Sequence, residues 1–267
     1  MPPTAPSMAL TKAPPIECCR VLLMLSFFVG VLLFALPVSA QPTQPDTSKD
    51  QKIVRICASE SGLFHIMFID SIRRAYERIG YQAEFVMLPD LRSLRMANEG
   101  ICQAEIIRIA KAEKGFPNLK RVPFSIAKLE GFAFTINTTK TINTWDDLKG
   151  LNTYIVNGDL YAMEGTKGMD VGKAKSLPQI FRMLVDGKID IAIGMRETGE
   201  IAAKRDFPGS GIHTIGAPLA SFPMYHMVHR DSQHLIPLLN DAFQEMVANG
   251  EIETLNARAM QRLIDQP

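Results

Sequence analysis

Three arginines stand at or just past the ends of short apolar runs. Arg92 follows YQAEFVML (81–88), Arg108 sits in AEIIRI (104–109), and Arg196 follows IDIAIG (189–194). A guanidinium is a planar fork that can hold a carboxylate through two bonds, so arginine in such a place is suited to gripping a small anion. Other side chains share the setting. Ser59 and Glu60 follow IVRICA (53–58), with Phe64 close behind; Asn157 and Gly158 follow TYIV (153–156); Met195 precedes Arg196; Tyr225 lies in MYHMVHR (224–230). This is chemistry for holding a molecule: charged forks, hydroxyl and amide groups, and an apolar wall from Phe64. Plainer roles compete at each position. Arg92 can pair on the surface with Asp90 or Glu99, Arg108 can be a solvated strand end, and Phe64 can be core.

Motifs for bond-making chemistry are sparse. There is no Gly-x-Ser-x-Gly elbow. GMDVGK (168–173) is one residue short of a phosphate loop and lacks the hydroxyl residue after its lysine. His226 and His229 lie three apart in a strand-like run, which puts them on opposite faces and argues against a shared metal ion. No cofactor is expected.

The elements that would position these residues follow from periodicity. IVRICA (53–58) is a short branched apolar run, a strand. Residues 64–79 carry apolar side chains at helical spacing up to Gly80, and 81–88 is a second strand. A short helix over 91–98 and a strand over 104–109 complete a β-α-β-α-β order, which implies a parallel sheet with right-handed crossovers covered by helices. The pattern then restarts with a short helix at 145–149, a strand at 153–156, a helix at 177–185 capped by Ser176, and a strand at 189–194. LRSLRMANEGICQAEII (91–107) and PQIFRMLVDGKIDIAIG (178–194) share one outline of helix, glycine turn and apolar strand. Two similar halves predict two similar lobes, with 131–137 and 224–230 as the passing segments. Helices over 234–248 and 251–263 return to the first lobe. In open parallel sheets ligands bind beyond the carboxyl ends of the strands, which is where the residues above fall.

At the amino end, Lys12 and Arg20 precede an uncharged run, Val21 to Leu36, followed by Pro-Val-Ser-Ala to Ala40. This is the pattern of an export signal cleaved after residue 40. Residues 41–51 read as a disordered leader. No later stretch is apolar and long enough to cross a bilayer. With 29 basic and 28 acidic residues the chain is nearly neutral, which predicts no nucleic-acid partner. An exported pair, Cys57 and Cys102, allows a disulfide. If both belonged to parallel neighbouring strands, however, their offset of about four positions would exceed its reach, so free thiols are expected.

Several segments together resemble the bacterial extracellular solute-binding protein family 3. They are Ile53–Ser59, Leu94–Ile107, the run Thr144-Trp145-Asp146-Asp147-Leu148-Lys149-Gly150, LVDGKIDIAIG (184–194) and ANGEIETL (248–255). Their order spans residues 52–263. The resemblance implies a two-lobed, periplasmic-binding-protein-like α/β fold of type II, with parallel sheets, helices on both faces and two hinge crossovers. Residues 52–134 with 226–267 would form the first lobe, and 135–225 the second. It implies a periplasmic protein that closes on a small polar or anionic molecule, amino-acid-like or an organic acid, for an ABC-type permease or a membrane sensor. The site would draw on Glu60, Phe64, Arg92, Arg108, Asn157, Gly158, Arg196 and Tyr225. The family's usual arginine after the third strand is absent, since that stretch reads Ala110-Lys111-Ala112-Glu113-Lys114. Met195 and Arg196 stand where the family places an aspartate for an α-amino group, so the usual α-amino-acid clamp is missing. A second reading is an enzyme on the same fold, related to the cyclohexadienyl or arogenate dehydratases, with Glu60 as its acid. A third is a sensor that transports nothing.

Overall fold

A computed structural model describes residues 52–60 and 62–266 of the chain. The expected signal and leader lie outside the described residues. The first half opens with β1 (Lys52–Ser59), α1 (Leu63–Arg78), β2 (Tyr81–Leu88), α2 (Asp90–Asn98) and β3 (Ala104–Ile109). Short elements follow, α3 (Ala112–Gly115) and β4 (Leu119–Arg121), before the long strand β5 (Ala127–Thr135) leads into the second half. There, a 3-10 turn at Trp145–Leu148 precedes β6 (Thr153–Val156), α4 (Leu160–Gly165), β7 (Gly172–Ala174), α5 (Leu177–Val185), β8 (Ile191–Met195) and α6 (Arg196–Asp206). The chain returns along β9 (His213–His229) and ends in α7 (Ile236–Ala248) and α8 (Glu251–Asp265).

The strands join in the order β2-β1-β3-β9-β5-β8-β6-β7, with β4 pairing the far end of β9. In each half three parallel strands, β2-β1-β3 and β8-β6-β7, sit beside an antiparallel crossing strand. The two crossing strands pair with each other: 127–131 of β5 face 220–224 of β9, and after a register shift 133–135 face 213–215. The shift falls where Gly216 adopts φ +72°, and a Cβ there would strike the Ile142 backbone, so only glycine fits the close approach. The passing segments are thus 127–135 and 213–224, earlier in the chain than the expected 131–137 and 224–230. Residues 224–229 already belong to the first half's sheet, against β3 and β4.

The apolar interior divides accordingly. In the first half, Ile56, Phe68, Ile72, Ile106 and Phe243 pack between the sheet and α1, α7 and α8, while Leu94, Ala97 and Met227 pack beneath α2 on the opposite face. In the second half, Phe134, Ile180, Phe181 and Phe207 lie under α5 and α6, and Ile155, Ala162 and Ile193 under α4. Each half therefore buries both faces of its own sheet, as parallel strands require.

The expected free cysteines are a disulfide. The Cys57 and Cys102 Cα atoms lie 5.7 Å apart and the sulfurs are bonded. Cys102 precedes β3, in a bend rather than a strand. Gln103 N–H donates to the Arg55 carbonyl at 2.9 Å, and Arg55 N–H donates to the Gln103 side chain at 2.8 Å. The bend turns Cys102 out of the strand line onto the α2 side of β1, where it packs with Cys57, Leu94 and Ala97, so the offset of regular strand geometry does not apply.

Candidate functional site

The carboxyl ends of β1, β2 and β3 meet in a polar network. Glu60 N–H donates to the Leu88 carbonyl at 2.9 Å, drawing the ends of β1 and β2 together. Ser59 N–H donates to His65 Nδ1 at 3.0 Å, which fixes that nitrogen as an acceptor. Burial, and then the positive charge of Arg108, push the His65 pKa down to about 3, with Asp90 opposing. The imidazole is therefore neutral at any ordinary pH.

Arg108 is the centre of the network. Its Nε donates to Glu105 Oε1 at 2.8 Å and its Nη1 donates to Asp90 Oδ1 at 2.7 Å. Residues 105 and 108 would point to opposite faces of a regular strand. The β3–β9 ladder shifts register between them, and the irregularity brings both to the α2 face. Glu105 is fully buried, and its other oxygen accepts from Ser93 Oγ on α2 at 2.5 Å. Burial raises the Glu105 pKa to about 7, outweighing the charge of Arg108 and the Ser93 hydrogen bond. Asp90 is more exposed. Burial raises it too, but the hydrogen bond and charge of Arg108 win and hold it below the usual carboxylate range. Asp90 also opens α2, where a negative side chain suits the helix dipole. Its partner is Arg108, not Arg92 as the surface-pair reading had it. Tyr225 stands opposite Arg108 in the ladder, half-buried, with the Arg121 guanidinium 5.2 Å from its ring centroid. It is part of the first half's sheet rather than of a passing segment.

The strand ends of the second half differ. Asn157 and Gly158 are exposed in the loop after β6, where Asn157 N–H donates to the Ala174 carbonyl at 2.8 Å and Gly158 takes φ +96°. Arg196 is the first residue of α6, a helix the sequence reading did not anticipate. Its Nη2 lies 3.2 Å from both Glu130 Oε2 and Glu197 Oε1, and its guanidinium 5.6 Å from the Phe132 ring centroid. Phe64, on α1, and Arg196 both line a cavity. Glu60 and Arg92 are exposed and make no ion pair among the described residues. The structure thus brings Arg108 and Tyr225 together on one wall and Phe64 and Arg196 on another.

Sequence reasoning missed Ser93, Glu105, Asp90 and His65 as site members. Glu105 carried a signal: an acid inside an apolar strand is buried only when something pairs it. His226 and His229 face opposite sides of β9. The His226 Nδ1–H donates to the Ile106 carbonyl at 2.8 Å, and its Nε2 accepts from the Tyr76 hydroxyl at 2.9 Å, while His229 caps the 3-10 turn after it.

No known family's sequence profile matches the chain. An uncharacterized protein of Shewanella oneidensis is 24% identical over 204 residues, which are 73% of this chain and 77% of that protein. Among solved structures, the chain is similar to the second substrate-binding domain of Lactococcus lactis GlnP in its open conformation, with a TM-score of 0.65 and 17% identity over 79% of this chain and 96% of that one. It is similar to the GluR0 ligand-binding core in complex with L-glutamate, with a TM-score of 0.60 and 12% identity over 78% and 98%. A histidine kinase sensor domain with similarity to periplasmic binding proteins gives a TM-score of 0.57 and 13% identity over 79% and 97%. The likeness is one of fold: mixed α/β, with the two-lobed build of periplasmic-binding-protein-like domains.

Proposed function

We propose that the protein is a periplasmic solute-binding protein whose two lobes close on a small polar molecule, and that it performs no chemistry on it. In this reading the residues before the crossing strand β5 and from 224 onward form the first lobe, and the stretch between the two crossing strands forms the second. The paired crossing strands β5 and β9 serve as the hinge. A molecule that touches both sets of strand ends binds the closed arrangement better and shifts the equilibrium toward it. A permease of the ABC type or a membrane sensor would read the closed shape. Sensing is favoured as the second reading by the likeness to a kinase sensor domain. No helix among the described residues is long and apolar enough to cross a membrane.

One observation carries the proposal: the fork of Arg108, held at strand ends between two carboxylates of unlike burial. Glu105 is sealed in, whereas the Asp90 side chain is 59% exposed. Asp90 therefore occupies the outward half of the fork as a removable placeholder. A ligand carboxylate can take its place without unmaking the buried Glu105 bond, and the ligand is an amino-acid-like molecule or an organic acid. The test is a thermal-shift screen of the purified protein against amino acids, organic acids, polyamines and sugars. The expected outcome is stabilisation by an acid-bearing solute. Its affinity should fall by roughly 2 kcal/mol or more in Arg108→Ala, the scale for truncating a buried charge contact. An unchanged affinity in that variant removes Arg108 from the site.

A further inference from the structure

A cavity of about 630 Å³ lies between α1 and α8 of the first lobe and α6 of the second, floored by the start of β5. We propose that it is a second binding site, for a small organic cation that carries an apolar, aromatic-sized body.

The size falls within the range of small-molecule pockets. One wall is apolar: Phe64, Met67 and Phe68 from α1 face Ile252 and Met260 from α8, with Ile126 below. The Phe64 and Phe68 ring centroids are 5.0 Å apart, which gives the cavity an aromatic side. The polar groups are mostly acids. Glu130, Glu197, Glu200 and Glu253 line the cavity against two bases, Lys128 and Arg196. Arg196 is already committed to Glu130 and Glu197. Glu200 and Glu253 make no ion pair among the described residues. Glu197 Oε2 is buried with no hydrogen-bond partner among them.

These features select the ligand's charge. An anion would meet the surplus of carboxylates. A neutral hydrocarbon would fill the apolar side but leave Glu200 and Glu253 without a counter-charge. An ammonium group supplies three donors and the opposite charge, while its apolar remainder covers the phenylalanines. Arg108, Asp90 and Glu105 do not line the cavity, so the site is separate from the first lobe's Arg108 network and stands whether or not that network holds a solute.

The test titrates phenethylammonium into the purified protein, with 3-phenylpropionate as a probe of similar body and opposite charge, and follows binding by NMR. Phenethylammonium is expected to bind at least about tenfold more tightly than 3-phenylpropionate. Ala257 is exposed at the cavity wall, so Ala257→Trp fills the space without entering the core and should abolish binding. Glu200→Gln with Glu253→Gln should weaken it severalfold, and Arg108→Ala should leave it unchanged. The proposal is overturned if phenethylammonium does not bind, if the two probes bind equally, if the folded tryptophan variant binds as before, or if Arg108→Ala abolishes binding. Should the tryptophan variant not fold, the paired glutamine variant decides: retained full affinity there overturns the proposal.

Discussion

The helix–turn–strand unit occurs twice, and its two copies differ in what they bury. Aligned on Gly100 and Gly187, both at positive φ, Ser93 corresponds to Ile180, Cys102 to Ile189, Glu105 to Ala192 and Arg108 to Met195. In the second lobe Ile180, Ile189 and Ala192 make the interface between α5 and β8 wholly apolar. In the first, the same positions between α2 and β3 hold a serine, a disulfide and a buried glutamate joined to an arginine. One scaffold thus appears in a form that is plain core and in a form where polar groups replace core. Replacing a buried ion pair by well-packed apolar groups is often neutral or stabilising, so stability alone does not explain the first copy's polar residues. In the proposed function they are the groups that hold the ligand.

Moving the first lobe's chemistry into the second should be the most damaging exchange. Ile180 is fully buried and has no carboxylate awaiting a hydroxyl, so Ile180→Ser should lower unfolding stability by about 4 kcal/mol, combining a lost side chain with an unsatisfied polar group. Denaturant unfolding measures it, and a loss below about 1 kcal/mol would mean that the two copies are not packed as differently as described. The next effect comes from Cys102. Its counterpart Ile189 holds the equivalent turn by apolar burial, whereas the first lobe uses a covalent tie over 45 residues. Cys57→Ala with Cys102→Ala should cost about 3 kcal/mol, through the freedom returned to the unfolded chain. An unchanged unfolding midpoint under reducing and oxidising conditions alike would show that the bond does not form.

The same contrast explains what was legible in the sequence. Elements with clean periodicity appear where expected: β2, β3, β6 and α5 coincide with their predicted spans. Helix α6 does not announce itself, because RETGEIAAKRD is polar and holds Gly199, which is there to let the Phe134 ring approach. Strand β9 is longer than expected because Gly216, Pro218 and Pro223 interrupt a run that is nonetheless paired on both sides. The disulfide was hidden by treating a bend as regular strand. Of the site, Arg108 could be picked out by its place near a strand end. Its partners could not, since the bulge that carries residues 105 and 108 to one face leaves no mark in the pattern of apolar residues. Asp90 read as a surface acid because its pairing is set by how α2 folds back over β3 across the turn at 99–103, which the pattern of apolar residues does not display.

The smallest predicted effect sharpens the comparison at a single atom pair. Glu105 has an ordinary pKa of 4.5 and a folded pKa of about 7, because burial disfavours its charge more than Arg108 favours it. Between those values the folded protein binds the proton more tightly than the unfolded chain does, so this group's contribution is complete below about pH 4.5 and is lost as pH rises through about 7. Glu105→Gln keeps the shape and accepts from Arg108 through its amide oxygen, its amide N–H now donating to the Ser93 hydroxyl, but it cannot titrate. Relative to the native protein, the variant should therefore gain stability as pH rises across that window, by at most about 3 kcal/mol in all, and then level off. His65 and His226 pull the other way. Burial lowers their pKa values to about 3 and about 4, so their contributions are present above pH 6.5 and lost on acidification. Both histidines are common to the two proteins, so their effects largely cancel in the difference. Unfolding midpoints measured from pH 4 to 8 on both proteins give that difference directly. A flat curve would mean that Glu105 is ionised throughout, and hence that Arg108, rather than burial, governs the pair.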